Sequence, residues 1–180
     1  MQKPKETEDT SPGRSPSSEA VLETAYFAAG CFWGVEAAFG RVPGVTSTAV
    51  GYMGGHTPNP TYKQVCTSKT GHAETVKVVY DPAGVSYDRL LEVFWSAHDP
   101  TTLNRQGPDV GTQYRSAIFS NDQKQYNAAV ESRHNLDELH KFDRPIATEI
   151  KRAGQFHLAE EYHQQYLEKQ GKTSCDLDIH

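Results

Sequence analysis

Only three cysteines, at positions 31, 66 and 175, occur in this 180-residue chain. An odd number, spread so far apart, excludes a disulfide framework and a zinc ribbon, both of which need paired thiols. A cytoplasmic setting with catalytic or structural thiols is therefore the expectation. No apolar run approaches the roughly 20 residues that a membrane-spanning helix needs. The N-terminus lacks the apolar stretch of a secretory signal, and Glu6, Glu8, Asp9 and Glu19 do not suit an organellar transit peptide. Excess positive charge is also missing. A net charge of -5 and a pI near 5.9 leave no electrostatic footprint for nucleic acid or an anionic membrane. Internal repeats are absent, and the length fits one domain with a sizeable core.

What the chain does have is Gly30-Cys31-Phe32-Trp33-Gly34, a thiol between glycines beside two large aromatics. The preceding Thr24-Ala25-Tyr26-Phe27-Ala28 is apolar and partly aromatic, as a strand is. Val35, Ala38 and Phe39 follow at helical spacing. Cys31 is thus expected on a strand-to-helix turn, where unpaired N–H groups and the helix dipole favour a thiolate. Gly30 and Gly34 are expected to let the backbone turn sharply and leave the sulfur uncovered. The competing reading is a buried structural cysteine, since cysteine is often buried.

Residues 1–22 are rich in Pro, Ser, Thr, Lys and Glu, and are expected to be a disordered tail without a catalytic role. Residues 23–170 read as a single catalytic domain, and 171–180 as a mobile tail carrying Cys175. Within the domain, strands are expected at 45–52, 73–80 and 115–120, with a further β-rich run at 145–151. Ser86 starts an amphipathic helix to residue 98, in which Leu90, Leu91, Phe94 and Trp95 form the apolar stripe. Asn121 is read as the cap of a long helix to 139, and a last helix is expected over 159–169. The polar stretches 53–69 and 101–114 read as long loops, which in a compact domain are often functional. The order strand-helix-strand-strand-helix-strand indicates an α+β fold, a ferredoxin-like split βαβ two-layer sandwich.

Glu74 falls on or beside a strand; in a closed pocket, desolvation would keep such a carboxyl protonated and able to act as an acid. Tyr52 and Tyr114 could each aim a phenolic O–H into the same pocket.

The run Gly30-Cys31-Phe32-Trp33-Gly34 resembles the signature of the A-type peptide methionine sulfoxide reductases. The likeness continues through Val50-Gly51-Tyr52-Met53-Gly54-Gly55, Thr70-Gly71-His72-Ala73-Glu74, Asp109-Val110-Gly111-Thr112-Gln113-Tyr114-Arg115-Ser116 and Tyr162-His163-Gln164-Gln165-Tyr166-Leu167. These blocks in order span residues 24 to 167. The resemblance implies reduction of the S-epimer of methionine sulfoxide, free and in oxidised proteins, a repairable lesion. Cys31 would attack the sulfoxide sulfur, with Glu74, Tyr52 and Tyr114 at the matching polar positions and Asp109 as the supporting acid. Phe32 and Trp33 would hold the S-methyl group. A second cysteine would then resolve the Cys31 sulfenic acid, and thioredoxin would reduce the disulfide.

Cys175 is the resolving candidate, although Ser174 precedes it where an aromatic is usual in the family and the expected Gly-rich tail with a further cysteine is missing. Cys66 lies in a stretch that reads as packed, which favours a structural role; it or a small-molecule thiol is the fallback resolver. No bound cofactor, no nucleic-acid or membrane partner, and a monomeric chain are expected.

Three other readings remain open at this point. Glu131-x-x-His134 and Glu160-x-x-His163 have the spacing of a carboxylate-bridged di-iron bundle, which would need four long helices. Cys31 could instead pair with His72 or His163 in a Cys–His hydrolase, leaving Glu74 and the tyrosines without a role. In the third, Phe32 and Trp33 form a non-catalytic docking patch.

Overall fold

The structure, a computed structural model, describes residues 19–172. The expected N-terminal tail up to residue 18 and the segment 173–180 with Cys175 lie outside the described residues. Strand β1 (Glu23–Ala29) leads into helix α1 (Phe32–Gly40), strand β2 (Val45–Met53), the single-turn helix α2 (Tyr62–Val65), strand β3 (Ala73–Tyr80) and helix α3 (Tyr87–Ser96). A small hairpin, β4 (Arg105–Gln106) with β5 (Asp109–Val110), precedes strand β6 (Ser116–Ser120) and helix α4 (Gln123–Glu138). Strands β7 (Glu149–Arg152) and β8 (His157–Leu158) and the single-turn helix α5 (Tyr166–Lys169) complete the fold.

The main sheet has six strands in the order β7-β6-β1-β3-β2-β8. Its central part, β6-β1-β3-β2, is antiparallel and has the expected split βαβ connectivity. β7 is added parallel to β6 at one edge, and β8 antiparallel to β2 at the other. Strand alternation explains the two layers. Ala25, Phe27, Val50, Val76, Val78 and Ile118 are fully buried and form one cluster with Phe39 of α1 and Leu90, Leu91 and Phe94 of α3. Phe27 stacks on Phe39 and Phe94, with ring centroids 4.8 and 5.4 Å away, and so pins both helices to β1. The opposite face carries a smaller cluster of Ala28, Met53, Ala73, Ala117 and Phe119, covered by Tyr26 and Phe156.

The last predicted helix is not one. Over 159–169 the chain makes a 3-10 turn (Glu161–His163), passes through a left-handed Gln165 (φ 48), and only then forms α5. Tertiary hydrogen bonds outweigh helix propensity there. Gln164 bonds both the N–H and the carbonyl of Val50, and Gln165 bonds Glu36 and the Thr48 carbonyl. The result is a strap across β2 and α1. Helix α4 is capped by Asp122, whose side chain accepts from Gln125 N; Asn121 instead donates to the Thr24 carbonyl. The loop 53–69 contains α2, started by a reciprocal Thr61–Gln64 capping box. Its ends are joined because His72 Nδ1 accepts from Gly55 N and His56 N donates to the Thr70 carbonyl. A Cβ at Gly55 would collide with the backbone of Thr70 and His72, so only glycine permits this approach.

One end of the sheet gathers the predicted residues. β1 runs toward Cys31, β2 ends just beyond Tyr52, β3 begins next to Glu74, and β6 starts two residues after Tyr114.

Candidate active site

Cys31 occupies the N-cap of α1, half-buried, with its carbonyl accepting from Val35 N. Gly30 makes the turn at φ +96, and a Cβ there would lie 2.8 Å from Gln106 Cγ. Gln106 holds this position by bonding the N–H and the carbonyl of Asp99, so the β4–β5 hairpin roofs the turn that carries the thiol. Gly34 lies inside α1 and takes no part in the turn, contrary to the sequence reading. Gly30→Ala is expected to cost about 1–3 kcal/mol of stability through backbone strain. It should also slow the reaction by shifting the hairpin or the thiol; denaturant unfolding and single-turnover assays measure the two effects.

Glu74, 2 % exposed, accepts from Phe32 N at 3.0 Å through Oε2. That contact places a carboxyl group at the first turn of the helix that Cys31 caps. Burial pushes its pKa up to about 8 against the opposing Phe32 hydrogen bond, with Asp109 adding to the rise. At neutral pH it is an acid with a proton to give. The burial of Glu74 supplies the desolvation on which its reading as an acid depends.

Tyr114 sits in the 3-10 turn Thr112–Tyr114, half-buried. Burial first, then Glu74 and Asp109, push its pKa up to about 12, so it remains a hydroxyl donor. The Cys66 and Cys31 sulfurs, when ionised, add smaller contributions in the same direction. Arg115, buried next to it, is tied to Glu149 at 3.2 Å and to the Thr112 carbonyl at 2.9 Å, anchoring the turn. Tyr52 is fully buried and stands directly across from Glu74 in the β2–β3 register. Its hydroxyl donates to Glu160 Oε1 at 3.1 Å. Burial, reinforced by Glu160, holds its pKa far above the ordinary phenol value.

Phe32 is buried, with its ring near Tyr52 and His163. Trp33 is half-buried and stacks on Tyr166 with centroids 3.8 Å apart, while its indole N–H donates to His163 Nδ1 at 3.0 Å. His163 is fully buried, and burial lowers its pKa, consistent with a neutral ring that can accept this bond. Sequence reasoning missed this support. Glu160 stood out as part of a metal-like spacing and His163 as part of that spacing or as a hydrolase base, whereas one fixes Tyr52 and the other Trp33. The signal was present in the Tyr162–Leu167 block, but an amphipathic helix was the wrong frame for it. Buried Glu36, which accepts from Thr48 and twice from Gln165, was missed for the same reason.

Cys66 is exposed, contrary to the packed position expected, while its neighbour Val65 is fully buried. Partial loss of water around its sulfur raises the thiol pKa, opposed by a hydrogen bond with Tyr62. The alternatives fare poorly. His72 is committed through Nδ1 to Gly55 N and through Nε2 to the Thr57 carbonyl. His163 Nε2, the other candidate base for a hydrolase, has no hydrogen-bond partner among the described residues. Glu131 and His134 are exposed on α4, remote in role from the Glu160 turn, and the sheet leaves no four-helix bundle. No described helix is long and apolar enough to cross a membrane.

The family described as peptide methionine sulfoxide reductase matches residues 23–180. The chain is 63% identical over 155 residues to peptide methionine sulfoxide reductase MsrA of Methanothermobacter thermautotrophicus, covering 86% of this chain and 92% of the relative. It is 61% identical over 157 residues to the MsrA of Methanoculleus marisnigri, covering 87% and 96%. Among solved structures, methionine sulfoxide reductase A of Corynebacterium diphtheriae superposes with a TM-score of 0.77 at 43% identity, covering 86% of this chain and 77% of that one. With the signature cysteine at the helix N-cap and the family match running from β1 onward, this chain belongs to the peptide methionine sulfoxide reductase family.

Proposed function

We propose that Cys31 reduces the S-epimer of methionine sulfoxide, free and in oxidised proteins, by attacking the sulfoxide sulfur as a thiolate. Glu74 delivers its proton to the sulfoxide oxygen, and Tyr114 hydrogen-bonds that oxygen; Tyr52 completes the polar wall. The oxygen passes to the Cys31 sulfur as a sulfenic acid, and methionine leaves. Two electrons move from Cys31 to the substrate, and one proton is consumed when the attacking group starts as thiolate. Phe32 and Trp33 hold the S-methyl group by apolar contact, and Asp109 helps keep Glu74 protonated. The observation that carries this reading is the buried Glu74 carboxyl, bonded to the backbone of the residue next to Cys31, where burial raises its pKa to about 8.

The Cys175 thiol then attacks the sulfenic sulfur, an S–S bond forms, and the oxygen leaves as water. A dithiol reductant of the thioredoxin class reduces the disulfide. The raised pKa of Cys66 keeps it mostly thiol, which makes it the poorer nucleophile for this step. A reducing, cytoplasmic setting suits this cycle, with no bound cofactor and a monomeric chain.

Counting thiols after adding excess methionine sulfoxide without reductant tests the scheme. Loss of two thiols and formation of one methionine per chain is the expected result; methionine formed with no thiol lost would overturn it. Cys175→Ser is expected to allow one stoichiometric turnover and to stop cycling with thioredoxin. Full cycling by that variant would move the resolving role elsewhere.

A further inference from the structure

Glu160 accepts hydrogen bonds from three sides. Tyr52 Oη donates to Oε1 at 3.1 Å, and Tyr62 N and the Tyr162 hydroxyl donate to Oε2 at 3.2 and 3.4 Å. Glu160 is half-buried and Tyr162 is 57% exposed, so this carboxylate connects the buried Tyr52 to solvent. Tyr52 and Glu74 are paired residues on adjacent strands and project from the same face of the sheet. The other titratable groups near Glu160 are Tyr62 and Cys66 from the α2 segment, His157 of β8, which pairs with Tyr52 and lines the same cleft, and Glu161 and His163 from its own turn.

Glu74, almost sealed from solvent, must regain a proton after each one it gives to the sulfoxide. We propose that Glu160 is the solvent-side end of a proton relay through Tyr52 that reprotonates Glu74 between turnovers. A proton taken up by Glu160 passes to Tyr52 Oη as the phenol gives its own proton, directly or through one water, to the Glu74 carboxylate. No phenolate accumulates, and Glu160 ends as a carboxylate accepting from Tyr52. That end state matches the Tyr52–Glu160 hydrogen bond in the structure, and burial of Glu74 favours its protonated form. Glu160 touches no reacting atom and acts through Tyr52.

This inference rests on the sulfoxide-reduction reading, and its test separates the two. Rapid-quench measurement of methionine follows the first and the later turnovers of wild type, Glu160→Gln and Tyr52→Phe at pH 7 with saturating dithiol. A small buffer acid, imidazolium, is varied at constant pH and ionic strength. In Glu160→Gln, later turnovers are expected to slow about tenfold more than the first, a modest share of what a proton-transfer group contributes. Added imidazolium should restore them, and Glu160→Asp should recover part of the rate without it. Tyr52→Phe, which breaks the relay at its middle, should show the same dependence on buffer acid. Loss of rate by one common factor in all turnovers, with no response to imidazolium in either variant, would reduce Glu160 to a structural support and overturn the relay. If wild type itself forms no methionine, the sulfoxide-reduction reading fails instead.

Discussion

Cys31→Ser is expected to abolish methionine formation from free or peptide methionine S-sulfoxide. The serine hydroxyl can occupy the same N-cap, so the fold should survive; caps prefer serine. What disappears is the nucleophile, because a hydroxyl stays protonated at neutral pH and cannot carry oxygen away as a sulfenic acid. No other described thiol can substitute at that position, since Cys66 lies on the C-cap of α2 with a raised pKa. Methionine release by chromatography and far-UV circular dichroism together distinguish loss of chemistry from loss of fold. Measurable turnover in a folded Cys31→Ser protein would end the account.

Glu74→Gln should slow the first turnover by about 100-fold, the lower end of what a positioned acid contributes, because glutamine still donates a hydrogen bond. The wild-type rate should lose its acid-dependent component as pH rises through about 8, where Glu74 gives up its proton. In the variant that alkaline limb should vanish. The same substitution has an opposite effect on stability. The raised folded-state pKa means that the wild-type protein is progressively destabilised between the ordinary carboxyl value of 4.5 and about 8, as the unfolded chain ionises and the folded one does not. Glu74→Gln removes that slope, so its advantage in urea unfolding should grow across this window and level off above it. A variant with wild-type single-turnover kinetics and an unchanged alkaline limb would exclude the acid role.

The sandwich was legible because its signals are local. Alternation marked β3 to the residue, and the stripe of Leu90, Leu91, Phe94 and Trp95 marked α3. The candidate site was legible through Gly30-Cys31-Phe32, where a glycine at φ +96 has to turn a strand into a helix. The strap at 159–169 was not. Its spacing is helical, but Gln164 and Gln165 spend their amides on β2 and on Glu36, partners more than a hundred residues away in the chain. No local pattern encodes such contacts. The same holds for Glu160 and His163, whose roles depend on Tyr52 and Trp33 arriving from elsewhere. Glu74 was a candidate from position alone, yet its protonated state follows only from the burial that the closed sheet end imposes.

The central claim is that the substrate's oxygen is transferred to the sulfur of Cys31. The most direct measurement uses Cys175→Ser with one equivalent of methionine S-sulfoxide, a cyclic 1,3-diketone to trap sulfenic acid, and peptide mapping by mass spectrometry. The account predicts one trapped adduct on the peptide containing Cys31 for each methionine formed. Methionine appearing with the adduct on Cys66, or with no adduct at all, would contradict it.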